Sequence, residues 1–189
     1  MKKILLSSVF CTLLLFINPS FASEYKIDSK GAHASINFKI SHLGFSFITG
    51  RFNTFSGTFN YDKNKIENAS IKVKIDTSSI NSNHAERDKH IRSSDFINVK
   101  KFNQATFEST NIKKEKDGML SITGNFTLHG VTKEIRLDGQ FIGEGKDPWG
   151  GYRAGFTAST RLYLKDFNIK VLGNSNYVDI DLNIEGIRQ

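Results

Sequence analysis

The chain has a single cysteine, Cys11, and only two prolines, Pro19 and Pro148, among its 189 residues. One cysteine excludes an internal disulfide and a Cys-rich metal site. With Pro148 the only proline beyond residue 22, long strands run without a missing backbone donor. There is no Gly-x-Ser-x-Gly elbow, no His-Glu-x-x-His pair and no glycine-rich loop opening a helix. Sequence support for hydrolytic, zinc-peptidase or nucleotide chemistry is therefore lacking. No segment reaches the roughly 20 apolar residues that a membrane-spanning helix needs. The lysines are scattered, with one small cluster at Lys113, Lys114 and Lys116, so the footprint of a nucleic-acid binder is missing as well.

What is present starts with "MKKILLSSVFCTLLLFINPSFAS": two lysines, an apolar run from Ile4 to Ile17, a break at Pro19 and a small-residue exit at Ser20-Phe21-Ala22. That is the layout of a secretory signal peptide, cleaved after Ala22. Residues 1–22 are thus expected to leave, and residues 23–189 to form one exported domain large enough for a sizeable core. Lys2 and Lys3 go with the leader, taking the formal charge from +7 to +5, and Cys11 goes too, leaving no thiol.

From Tyr25 onward the dominant period is two, the mark of half-buried strands. Ile36, Phe38 and Ile40 alternate with Asn37 and Lys39. Ile71, Val73 and Ile75 alternate with Lys72 and Lys74, and the pattern returns at Phe126 and Leu128, at Phe156 and Leu162, and from Val178 to Ile184. Turn residues separate these runs, at Asp62-Lys63-Asn64, Lys116-Asp117-Gly118, His129-Gly130, Gly143 to Gly151 and Gly173 to Asn176. Short connections imply antiparallel neighbours. One segment departs from the period. Asn83 stands three residues before Glu86 like a capping box, and Glu86 with His90 and Asp88 with Arg92 have i, i+4 spacing, so a short helix is expected over 84–92. The following loop carries Phe96, Ile97, Val99 and Phe102 as anchors to the sheet.

A single apolar face on about eight strands must be buried by a sandwich or by a closed barrel. The charges on the other face, among them Lys72, Lys74, Arg136, Asp179 and Asp181, would crowd the lumen of an inside-out membrane barrel, which excludes that architecture. A small closed barrel is either filled by side chains or holds one slender ligand. All but three of the 16 Phe, the exceptions being Phe10, Phe16 and Phe21, lie in the exported part, an excess that suits an apolar cavity and also an ordinary core.

The run "YKIDSKGAHASINFKISHLGFSFITGRFNTFSGTFNYD" from Tyr25 to Asp62 resembles the opening of the YceI-like family of exported bacterial proteins. "ERDKHIRSSDFINVKKF", "GNFTLHGVTKEIRL", "DPWGGYRAGF" and "VDIDLNIEG" resemble its later blocks in the same order, covering essentially the whole exported chain. Asn103 replaces a usual Pro, and Lys165 and Asn168 stand where Arg and Gly are usual; Asn168 tolerates a positive φ, so the fold should be unaffected. The resemblance implies an all-β, single antiparallel lipocalin-like β-barrel of about eight strands with one short helix inserted. It also implies a periplasmic location and a long isoprenoid ligand such as a polyprenyl pyrophosphate or a polyprenyl quinone, bound without a cofactor or catalysis. Burying about 0.8 kcal/mol per CH₂, a chain of roughly forty carbons is stabilised on the order of 30 kcal/mol on leaving water. A bilayer solvates it equally well, so the protein would be a carrier that exchanges lipid with membranes by transient contact. A hydrolase or isomerase acting on a lipid-like substrate, and a packed barrel serving as a stress or interaction protein, are the alternatives. The oligomeric state stays open, a homodimer included.

For such a ligand the expected apolar lining is Ile36, Phe38, Ile40, Ile71, Val73, Ile75, Phe126, Leu128, Phe156 and Leu162. His42, Arg51, Arg153 and Arg161 are the head-group candidates, since Arg offers bidentate recognition of phosphate. Each arginine equally suits a surface ion pair, and His42 equally suits a local backbone cap. In "DPWGGYRAGF" a turn accounts for Pro148, Gly150 and Gly151, and Trp149 is expected to plug one barrel end. His84 and Asp88 have metal-compatible spacing, but a solvated helix face explains them and no metal is expected.

Overall fold

A computed structural model describes residues 22–170 and 175–189. The leader expected over 1–22 lies outside the described residues except for Ala22, as do Gly173 and Asn174 of one expected turn. The strands are β1 (Ser23–Ile27), β2 (Ser35–His42), β3 (Ser46–Phe52), β4 (Phe55–Tyr61), β5 (Ser70–Asp76), β6 (Ile80–Asn81), β7 (Gln104–Lys114), β8 (Leu120–Leu128), β9 (Val131–Lys146), β10 (Tyr152–Tyr163) and β11 (Tyr177–Arg188). The order β1-β4-β5-β7-β8-β9-β10-β11 returns to β1, closing an eight-stranded antiparallel barrel. One short α-helix, α1 (Ala85–Arg92), and three single-turn 3₁₀ segments at Ile66–Asn68, Thr77–Ser79 and Leu164–Phe167 complete the regular structure among the described residues.

Three staves of this barrel are bent. The last residues of β11 pair with β1, Tyr25 opposite Arg188, while its first half pairs with β2, Val178 opposite Ile40. β1 and β2 are therefore successive lengths of one stave, parted at 28–34. β3 and β4 part at 53–54 and β5 and β6 at 77–79, and the two bends are tied where Asn53 N–H donates to the Ser79 carbonyl at 3.1 Å and Thr54 N–H to Ser79 Oγ at 3.0 Å. Eleven strands thus fill the eight positions that the alternation predicts.

Period-two patterning puts Ile36, Phe38, Ile75, Ile122, Phe126, Leu137 and Leu162 in the buried interior. At the end where β1 meets β4, Tyr25, Phe59, Tyr61, Phe141 and Phe156 pack ring against ring, with Tyr25 stacked on Phe59 at 5.0 Å and Phe141 edge-on to Phe156 at 5.3 Å. These rings fill that end of the interior. Trp149, expected as a plug, is instead 79% exposed, because the Asp147 to Gly151 turn projects beyond the barrel wall. The strand before that turn also runs further than the glycines suggest. Gly143 and Gly145 sit inside β9 opposite Gly155 and Arg153, and the turn proper is held by Asp147, whose Oδ1 accepts from Trp149 N–H at 2.9 Å and Gly151 N–H at 2.8 Å.

The helix is where expected, but its start is set differently. Asn83 adopts a left-handed φ of 60°, and His84 is the cap, its Nδ1 accepting from Arg87 N–H at 3.2 Å. The i, i+4 ion pairs do not form. Asp88 is buried and accepts from Ser82 N–H at 2.9 Å and Ser82 Oγ at 2.5 Å, while Arg92 donates to the Ile80 carbonyl at 3.0 Å. Tertiary hydrogen bonds of buried groups outweigh the few tenths of a kcal/mol that an exposed helix pair offers. Asn168 takes φ 56°, the left-handed value expected to be tolerated there.

Candidate ligand-binding cavity

Because the strands close with one apolar face inward, their side chains enclose a space, and this barrel is not packed solid. A cavity of about 610 Å³ runs through the interior. All ten residues expected to line it do so: Ile36, Phe38 and Ile40 from β2, Ile71, Val73 and Ile75 from β5, Phe126 and Leu128 from β8, and Phe156 and Leu162 from β10. The same alternation places Ile180, Leu182 and Ile184 of β11 on the wall, and in β7 a bulge between Ser109 and Asn111 shifts the phase so that both Phe107 and Ile112 face inward.

Part of the wall was not readable from strand periodicity. Ile91 of α1 and Phe96 and Ile97 of the loop after it line the cavity, so the helix and its loop cover the space that the short β6 leaves beside β7. The signal available in the sequence was the apolar pair Phe96-Ile97 inside an otherwise polar segment. Thr77 fastens this cover: its Oγ1 donates to the Phe102 carbonyl at 2.7 Å and its N–H to the Asn103 carbonyl at 3.1 Å.

Polar groups on the wall are few. Ser41, His42 and Leu43 line it where β2 ends, and His42 and Leu43 are also exposed, so the cavity reaches solvent there. Ser175 Oγ donates to the Ser41 carbonyl at this mouth. Among the described residues the His42 ring has no hydrogen-bond partner, and it is Ser41 Oγ that accepts from Gly44 N–H in the neighbouring turn, at 3.2 Å. Arg87 and His90 of α1 also reach the wall. Arg87 Nε donates to Ser82 Oγ at 2.7 Å and its Nη2 to the Ser82 carbonyl at 2.5 Å, and Nη1 has no partner among the described residues. Neither helical residue stood out in the sequence, because their neighbours are equally charged.

The three arginines singled out from the sequence lie elsewhere. Arg51 is exposed on β3 and donates to Asn53 Oδ1 at 2.9 Å. Arg161 forks onto Asp179 across β10 and β11, Nε to Oδ1 at 2.7 Å, with its guanidinium 3.8 Å from the Tyr177 ring centroid, and the Asp179 carboxylate raises its pKa. Arg153 is the centre of an acidic clasp: Nη1 meets Asp28 at 2.7 Å and Glu185 at 2.6 Å, and Nε meets Asp147 at 2.7 Å. None of the three lines the cavity.

The clasp dominates the electrostatics of the described residues. Arg153, and after it His33, hold the Asp28 carboxyl down to about 2 against burial that opposes them, and Arg153 likewise lowers Asp147. The three carboxylates in turn raise Arg153. Asp28, His33 and Glu185 have donor atoms close enough together to suit a metal ion, but the Arg153 guanidinium already bridges both carboxylates, so the cluster is an ion-pair knot. In the aromatic end, burial and then Glu144 push the Tyr61 phenol up to about 12.

Comparison with known proteins fits this geometry. A family model for the YceI-like domain matches residues 25–186. A UPF0312 protein of Vibrio vulnificus (strain YJ016) is 56% identical over the full length of both chains. The crystal structure of the Campylobacter jejuni YCEI protein superposes with a TM-score of 0.71 at 26% identity, covering 79% of this chain and 90% of that one. A polyisoprenoid binding domain from Saccharophagus degradans, implicated in plant cell wall breakdown, shares the fold with a TM-score of 0.65 at 17% identity, over 90% of this chain and all of that one.

Proposed function

Since the chain belongs to the YceI-like family, we propose that it is a periplasmic carrier that binds a long isoprenoid-type amphiphile, a polyprenyl pyrophosphate or polyprenyl quinone, without altering it covalently. The observation that carries this reading is the cavity. Its volume of about 610 Å³ falls within the roughly 300–1,000 Å³ usual for ligand sites. Its wall is apolar along all eight barrel positions and polar only at a few places, which matches a hydrocarbon tail with one polar end. A fold neighbour described as a polyisoprenoid binding domain supports the same ligand class.

The polar head would sit at the mouth, against His42, Ser41 and Ser175, and Arg87 is the one arginine that lines the cavity among the described residues. Arg51, Arg153 and Arg161 take no part, since each is engaged outside the cavity. The leader-like N-terminus supports export and hence the periplasmic setting. Carriage and not permanent storage follows from the energetics: a bilayer solvates the tail as well as the cavity does, so transfer between the two is nearly balanced.

Native mass spectrometry of the exported protein, with organic extraction of the same sample, tests the reading. A long-chain lipid at one per subunit is expected. Clean extracts from several preparations, with empty protein in the native spectrum, would overturn it.

A further inference from the structure

The turn joining β2 to β3 is built against its own conformational preference. Its two central residues, Leu43 and Gly44, have φ of 55° and 82°, the pattern of a type I′ turn, closed by Phe45 N–H donating to the His42 carbonyl at 2.9 Å. Asn, Asp or Gly normally takes the first of these positions, because a side chain branched like that of Leu is strained at positive φ. Leu43 is nevertheless there, 52% exposed. Phe45 beside it is 88% exposed and Phe47 59% exposed. Among the described residues all three side chains stay more than half exposed, and turn geometry alone would favour polar ones.

Their position gives the reason. Leu43 also lines the cavity, so this apolar tip stands at the mouth. The surroundings are basic. Lys39 Nζ lies 5.2 Å over the Phe47 ring. Ser175 joins Ser41 to the segment that hydrogen-bonds Leu164, and His129 bridges the Phe167 carbonyl and the Phe102 ring, so the neighbouring loops gather at this same end. They bring exposed Lys100, Lys101, Lys165 and Lys170, none of them in an ion pair among the described residues, against the acids Asp95 and Asp166. The turn at the opposite end interleaves Glu115, Lys116 and Asp117 instead.

The geometry points to a membrane-docking tip: Leu43, Phe45 and Phe47 insert into the surface of a bilayer containing anionic lipid, the lysine ring holds the phosphate layer, and the cavity mouth opens onto the acyl chains. Apolar insertion and electrostatic attraction are the two components of interfacial binding, and neither suffices alone for a small tip. The inference rests on the carrier reading for its purpose, but attachment to a surface can be measured whether or not the cavity is loaded.

The test is sedimentation of the exported protein with vesicles of phosphatidylcholine, with and without added phosphatidylglycerol, comparing wild type with the F45S/F47S double variant. Neither phenylalanine lines the cavity, so extracted lipid and thermal unfolding report whether the variant is folded and loaded. Binding should require phosphatidylglycerol, weaken with salt, and fall about tenfold or more in the variant while its lipid content stays that of wild type. The inference is overturned if wild type ignores both vesicle types, or if the variant binds as well as wild type. It is equally overturned if the tip proves to join two copies of the chain, seen as a concentration-dependent dimer that F45S/F47S abolishes. A clean lipid extract alongside intact vesicle binding would instead sink the carrier reading and leave the docking tip standing.

Discussion

Replacing Arg153 by Met keeps the aliphatic stem and removes the one cation shared by Asp28, Asp147 and Glu185. Asp28 gives the magnitude. Its side chain is 10% exposed, and its pKa is held at about 2 against an ordinary 3.8, with Arg153 as the largest cause. At about 1.4 kcal/mol per pKa unit, discounted for the solvent that still reaches the clasp, this is about 2 kcal/mol of stability. The folded-state pKa lies below the unfolded one, so the contribution is complete above about pH 4 and vanishes as pH falls through about 2. Urea unfolding of wild type and R153M across that range should show a gap of about 2 kcal/mol at pH 7, or about 4–8 °C in Tm, narrowing steeply between pH 4 and pH 2. Folded R153M should carry as much lipid as wild type, because Arg153 is off the cavity wall. A gap that persists unchanged at pH 2 would refute the coupling. Loss of lipid from folded R153M would refute the assignment of Arg153 to structure and not to the ligand.

Ala158→Trp in β10 places an indole in the cavity, and extraction should then recover well under one lipid per chain from a protein with an unchanged circular dichroism spectrum. Gly124 in β8 stands so close to its neighbours that a Cβ would lie 2.5 Å from the Glu108 carbonyl oxygen and 2.5 Å from the Phe107 ring; Gly124→Ala should destabilise by about 1–3 kcal/mol in urea unfolding. Tyr25 is fully buried in the ring cluster, and Tyr25→Ala should cost about 3–5 kcal/mol by the same measurement. In an ultraviolet titration, Tyr61 should form phenolate only near pH 12, a late step absent from Tyr61→Phe.

Much of the fold was legible because a barrel wall obeys a local rule. Ile36, Phe38 and Ile40 share a face through the two-residue period of the chain itself, whatever they pack against, and once the charged face is assigned to water the other face must be enclosed. The ten lining residues followed from that alone. The bends at 28–34, 53–54 and 77–79 were not legible, since they depend on which strands share β11. That Arg51, Arg153 and Arg161 lie off the cavity wall was not legible for a related reason. Arg51, Arg153 and Arg161 are as attractive in sequence as Arg87, but a guanidinium's role depends on which carboxylates reach it, and Asp28 lies 125 residues from Arg153 along the chain.

The amino-acid sequence by itself determined the strand faces, the place of the helix and of turns such as Lys116-Asp117-Gly118 and His129-Gly130, and the apolar character of whatever the interior holds, because each is set by contacts between near neighbours and by the choice between water and core. Tertiary structure alone decided that the interior is open, that Trp149 lies outside while Tyr25, Phe59 and Tyr61 fill the end, that Arg153 is tied into an acidic clasp, and that the turn carrying Leu43 meets Ser175 at the mouth. Those are outcomes of closure, and closure brings together groups whose separation in sequence carries no information about their distance in space.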